Sequence, residues 1–224
     1  MRKGNKMKVL FICDDIWHPA EVIKMGLESW KQGKYEFDII MTAKDILTPE
    51  LLCEYPVVIN AKGNAVNAAN CAPWFEKGVT EVGPEEFRKY VEEGGGFLSL
   101  HAGNTFMEET CKEYCDFVGN SYKTHPLRCP VAVRPVQRHP ITEGVSAYTE
   151  REEQYVLNIL AEDIEVFLES ETEEAGRQIA GYTRRIGKGK LCVLTPGHTL
   201  AVWKNAEFLR LLGNAIDWCA GQER

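Results

Sequence analysis

Three short apolar runs constrain this chain more than any other feature: Val9-Leu10-Phe11-Ile12-Cys13, Val57-Val58-Ile59 and Phe97-Leu98-Ser99-Leu100. A strand that is apolar on successive residues has both faces covered, as happens when parallel strands lie between two layers of helices. The intervening segments fit that arrangement. Ile23, Leu27 and Trp30 recur at helical spacing and stop before Gly33, residues 35–41 read as a second strand, and Thr48-Pro49 caps a short helix ahead of the strand at 56–60. The chain therefore opens as βαβαβ. With 44% hydrophobic and 26% charged residues over 224 positions, it can bury one core of ordinary size, and disorder and fibrous repeats are excluded.

The second half is less regular. Residues 61–83 are rich in Asn, Ala and Gly without a period, as in a functional or flexible loop. Pro84 restarts a helix striped by Phe87, Tyr90 and Val91, and Gly94-Gly95-Gly96 ends it before a fourth strand at 97–100. Residues 105–114 read as helix, and 128–136, 164–170, 178–184 and 190–195 as strands. Leu209, Leu212, Ile216 and Cys219 form the apolar stripe of a closing helix over 205–219. No linker or repeat divides 1–224, so a single domain is expected.

Composition narrows the partners. No apolar run approaches the length of a membrane span, and the start Met1-Arg2-Lys3-Gly4-Asn5-Lys6 leads straight into a strand rather than a signal sequence. A net charge of −7 repels phosphate backbones, so nucleic acid is not an expected partner. Eight cysteines are spread over a domain too large to need staples, which points to buried thiols in a reducing cytoplasm. Cys111 and Cys115 share a helix face and lack the CxxC spacing of a zinc knuckle. Ten acids over 150–174 and five bases over 177–190 read as neighbouring solvated segments.

In open parallel sheets, ligands bind beyond the carboxyl ends of the strands, where loops diverge. Four such loops carry polar groups here: Asp14, Asp15, Trp17 and His18 after the first strand; Asn60, Lys62 and Asn64 after the third; His101 and Asn104 after the fourth; Thr195 and His198 after the last. Three of the five histidines fall in this set, and imidazole suits proton transfer and metal ligation alike. Each residue also has a structural use: Asp14 or Asp15 can cap a helix, Asn60 and Asn64 can close turns, and Thr195-Pro196-Gly197 can be only a turn. His101 is placed where a sharp strand-to-helix turn presents a side chain to a cleft. His125 and His139 each precede proline in an extended segment. Glu152-Glu153-Gln154-Tyr155 brings two carboxylates and a phenol beside a short apolar stretch, which would draw one carboxylate into the cleft as a base, although alone it reads as a charge run.

Taken in order, Gly94-Gly95-Gly96-Phe97-Leu98-Ser99-Leu100-His101-Ala102-Gly103, His139-Pro140-Ile141-Thr142, Glu152-Glu153-Gln154-Tyr155, Gly187-Lys188-Gly189-Lys190 and Gly197-His198 resemble the trehalose-utilisation (ThuA-like) family, from the first strand to Ala215-Ile216-Asp217-Trp218. The resemblance implies a class I glutamine amidotransferase-like, flavodoxin-like three-layer α/β fold with a mostly parallel central sheet, and a role in sugar catabolism. It does not imply amidotransferase chemistry. The turn that holds Cys-x-Gly in amidotransferases reads His101-Ala102-Gly103, and where an acid is expected two residues after His198 this chain has Leu200. The family's aspartate before the glutamate is Glu152 here, which leaves Glu153 as the matching acid.

The expected site is a cleft in which His101, His198, Glu153 and His18 act on a sugar or keto-sugar, with Asp14, Trp17, Asn60, Asn64, Asn104, His125 and Tyr155 positioning it. Two alternatives stand beside this reading. One is a metal-dependent hydrolase or isomerase with zinc or manganese on His18, His101 and His198; the other is a non-catalytic sugar sensor. Assembly into a homo-oligomer is left open.

Overall fold

The computed structural model describes residues 6–64 and 74–222. Part of the loop expected over 61–83 therefore lies outside the described residues. The element order begins with β1 (Met7–Ile12), α1 (Ala20–Ser29), β2 (Tyr35–Ile40), α2 (Ala43–Ile46), α3 (Pro49–Cys53), β3 (Val57–Asn60), α4 (Pro84–Glu92) and β4 (Gly96–Leu100). This half follows the sequence reading closely. Thr48 caps α3 by accepting from the Leu51 N–H, with Pro49 in the first turn.

After β4 come α5 (Glu108–Val118), β5 (Asn120–Thr124), β6 (Cys129–Pro135), β7 (Tyr148–Glu152), β8 (Val156–Ile159), β9 (Glu165–Thr172), β10 (Gly176–Ile186), β11 (Gly189–Leu194), α6 (Leu200–Lys204) and α7 (Ala206–Cys219). The helix expected from residue 105 starts at Glu108 instead, because Thr105 and Phe106 belong to the turn before it. Asn205 caps α7 by accepting from Glu207 and Phe208 N–H groups.

The large sheet runs β2-β1-β3-β4-β11-β10-β9-β6-β7, and β5 pairs with β8 alone. The sheet is not mostly parallel, which corrects the expectation. β2, β1, β3, β4 and β11 are parallel to their neighbours, whereas β11-β10, β10-β9, β9-β6 and β6-β7 pair antiparallel. Hairpin geometry explains the difference: β10 and β11 are joined by the tight Gly187-Lys188 turn, too short for the crossover a parallel pair needs.

Strand alternation splits the core into two layers. Val9, Phe11 and Cys13 face α1, α6 and α7, packing with Ile23, Trp203, Phe208 and Ile216. Leu10 and Ile12 face the other way, toward Leu52 of α3, Phe87 and Val91 of α4 and Tyr114 of α5. Helices thus cover both faces of the parallel strands, whose carboxyl ends open on one rim. No described helix is long and apolar enough to cross a membrane.

Candidate active site

Immediately after β4 the chain turns on His101, whose φ of 41° is a left-handed conformation that a residue with a Cβ adopts only when its surroundings hold it there. Its Nδ1 lies 2.7 Å from the Thr195 carbonyl oxygen, beyond β11. A carbonyl only accepts, so Nδ1 carries the proton and donates, and Nε2 of the neutral ring presents a lone pair to the cleft. Gly197 makes this close approach possible: a Cβ there would stand 3.1 Å from the His101 Cβ, and its φ is +145°.

A second imidazole is oriented in the same way. Asp15, after β1, is buried and accepts from the Trp17 N–H at 2.9 Å, the His18 N–H at 3.0 Å and His18 Nδ1 at 2.8 Å through one oxygen, and from the Gly63 N–H at 2.8 Å through the other. Burial works against its charge, but the His18 ring and the two further N–H donors outweigh that and hold the carboxyl below its ordinary range. His18 Nδ1 donates outward to Asp15, which leaves its Nε2 pointing inward.

His198 is set by the carboxylate that ends β7. Glu152 is buried and accepts from Gly197 N–H at 2.8 Å, His198 N–H at 2.9 Å and Glu153 N–H at 2.8 Å. Burial dominates its acidity and pushes it up to about 7, against the lowering effect of those three donors. The next residue, Glu153, enters the site: Oε2 is 3.2 Å from His198 Nδ1 and 3.9 Å from His101 Nε2. Its Oε1 is 3.7 Å from Arg128 Nε, and His125 Nε2 is 3.8 Å from Oε2.

Tyr155 closes the floor. Its ring stacks on His101 with centroids 4.5 Å apart, and its hydroxyl is 3.0 Å from His101 Nε2 and 3.2 Å from His18 Nε2. Burial drives the phenol well above its usual pKa, reinforced by Glu153 and Glu152. Burial also pushes the His101 and His198 imidazoles down, helped by the neighbouring His18: His101 well below its ordinary value and His198 to about 4. Both rings are neutral near pH 7.

One cleft of about 780 Å³ joins these groups, with Asp15, Trp17, His18, Asn64, His125, Arg128, Glu153, Tyr155 and His198 among its lining. His101 lies beneath, in contact with its floor. Of the residues expected from sequence, His18, His101, Glu153 and His198 meet with their ligand atoms within 4.8 Å of one another, and Trp17, Asn64, His125 and Tyr155 surround them. Asn60, Asn104 and Asp14 are placed differently. Asn60 is buried and donates to the Tyr114 hydroxyl. Asn104 is buried against Ser99, the Leu194 carbonyl and Asn120. Asp14 caps α1 through the Ala20 N–H. Each satisfies backbone or core groups rather than facing the cleft.

Three residues important to the geometry were not in the expected set. Asp15 carries a readable signal, since a carboxylate three residues before a histidine can reach its ring. The sequence offers Glu152 as a carboxylate beside Glu153 but not its role in the turn, and it gives no signal for Arg128: strand pairing of Cys129 with Glu152 brings both beside the site.

The family model described as trehalose utilisation, ThuA, matches residues 12–219. No curated protein matches the sequence. Among solved structures, a ThuA-like protein from Bacteroides uniformis ATCC 8492 is similar over 100% of this chain and 95% of its own, with TM-score 0.74 and 19% identity. Another, from Parabacteroides merdae ATCC 43184, is similar over 96% and 90%, with TM-score 0.71 and 14% identity. A beta-galactosidase from Rahnella sp. R3 shares the fold over 93% of this chain but only 31% of its own, with TM-score 0.64 and 16% identity. At these identities the structural likenesses establish the fold alone. The family match, which spans nearly the whole ordered sheet and every residue of the cleft, places this chain in the ThuA trehalose-utilisation family.

Proposed function

We propose that the protein is an enzyme of carbohydrate metabolism that acts on a sugar or oxidised sugar derivative in the cleft at the carboxyl ends of the parallel strands. The observation that carries this reading is the convergence of His18, His101, Glu153 and His198, from four separate loops, to within 4.8 Å. A sensor needs a cleft but has no need for three imidazoles and a carboxylate oriented onto one point. Such groups bind and activate hydroxyls and carbonyls, the functional groups of a sugar. Trp17 and Tyr122 offer ring faces to sugar C–H surface, while Asn64, His125, Arg128 and Tyr155 offer hydrogen bonds. The family's association with trehalose supports the substrate class.

Glutamine hydrolysis is not part of the proposal, because the turn after β4 presents an imidazole where acyl transfer needs a thiol. The test is a thermal-shift screen over disaccharides and keto-sugars, followed by mass spectrometry of each stabilising compound after incubation. A stabilising sugar that is converted supports the enzyme. A stabilising sugar recovered unchanged would favour the sensor, and no response to any sugar would contradict the substrate class.

A further inference from the structure

We propose that His18, His101, His198 and Glu153 bind a single divalent first-row transition-metal ion, of the zinc or manganese kind, on the floor of the cleft. The inference deepens the proposed function and rests on it for the substrate but not for the ion.

Three observations lead there. The first is the direction of the lone pairs. His101 Nδ1 is committed to the Thr195 carbonyl and His18 Nδ1 to the Asp15 carboxylate, so both Nε2 atoms face the same point. An outer partner that fixes the tautomer and turns the other nitrogen inward is what metal-binding histidines require, and the Asp15–His18 pair is the carboxylate–histidine version of it.

The second is spacing. Ligands about 2.1 Å from a tetrahedral ion stand about 3.4 Å apart. Here His101 Nε2 is 3.1 Å from His198 Nδ1, His198 Nδ1 is 3.2 Å from Glu153 Oε2, and His101 Nε2 is 3.9 Å from Glu153 Oε2. For these three atoms, shifts of a few tenths of an ångström would seat an ion; the full set with His18 lies within 4.8 Å, so the three rings and the carboxylate would draw in further around it.

The third is a shortage of protons. Tyr155 has one hydroxyl proton for two Nε2 lone pairs, at 3.0 and 3.2 Å. His198 Nδ1 has at most one for both His101 Nε2 and Glu153 Oε2. A cation satisfies every lone pair at once, and the carboxylates of Asp15 and Glu153 balance its charge. Four protein ligands would fill a tetrahedral ion, so a substrate hydroxyl or carbonyl oxygen approaching from the cleft would be polarised through expansion to a fifth position.

The experiment uses full-length protein purified without metal-affinity resin, stripped with chelator and titrated with zinc and manganese, each read by elemental analysis after gel filtration and by thermal shift. We expect one equivalent bound and a stabilised fold. Glu153→Gln and His198→Ala should each weaken binding at least about 100-fold, and Asp15→Asn, which reaches the ion through the His18 ring and the loop it holds, about 10- to 100-fold. Tyr155→Phe should keep the full equivalent. Circular dichroism identifies any variant that fails to fold, and the near-isosteric Glu153→Gln keeps the test informative in that event. Sub-stoichiometric binding of both ions by wild type, or affinities unchanged in Glu153→Gln and His198→Ala, would overturn the site. Stoichiometric metal with no sugar response in the thermal-shift screen would leave the site standing and count against the substrate class alone.

Discussion

The His18 and His101 rings are each held at Nδ1 by a group that only accepts, and the turn that carries His198 is held through its backbone by Glu152, so side chains outside the cluster should matter as much as those within it. Glu152 is the clearest case. Replacing it with alanine would leave the Gly197, His198 and Glu153 N–H groups without their acceptor in a buried turn. An unsatisfied buried donor costs about 1–3 kcal/mol, so we expect Glu152→Ala to lower stability by about 2–4 kcal/mol in urea unfolding, with Glu152→Gln markedly milder. A loss below about 0.5 kcal/mol would show that the turn is held by other contacts. The polar residues at strand ends were legible in the sequence as a set, but not their roles. Asn60, Asn104 and Asp14 occupy the same loops as the site residues, and only the side-chain direction separates a core hydrogen bond from a cleft wall.

At the scale of elements, α1 and α6 show how packing overrides propensity. Gly26 lies inside α1, where alanine would favour the helix by about 1 kcal/mol. A Cβ there would stand 2.6 Å from the Trp203 Cβ, so the helices approach over a residue with no side chain. We therefore expect Gly26→Ala to lower the melting temperature, although the same change in an exposed helix would raise it. Phe208 of α7 is fully buried and meets Trp203 edge to face at 5.2 Å. Its replacement by alanine should cost about 3–5 kcal/mol by denaturant unfolding. Strands with two buried faces are the most plainly readable, since β1, β3 and β4 are apolar on successive residues. β5 and β7, Asn-Ser-Tyr-Lys-Thr and Tyr-Thr-Glu-Arg-Glu, were missed because one face meets solvent and the apolar signal fades into charge.

Across the whole molecule, the two halves of the sheet differ in purpose. The parallel half supplies the loops of His18 and His101, and the antiparallel half delivers Glu153 and Tyr155 to the floor of the same cleft. The parallel architecture and the clustering of histidines could be inferred from periodicity and position alone. The antiparallel extension could not, because pairings such as Val133 with Ser170 depend on contacts between residues far apart in the chain. The central claim is that this shared rim performs chemistry on a sugar. The most direct measurement is product formation, by NMR, from a stabilising sugar incubated with wild type, His198→Ala and His101→Asn, the last chosen because asparagine tolerates the left-handed turn. We expect both variants to fold and to lose at least about 100-fold in turnover. Turnover within a few-fold of wild type in both folded variants would contradict the account.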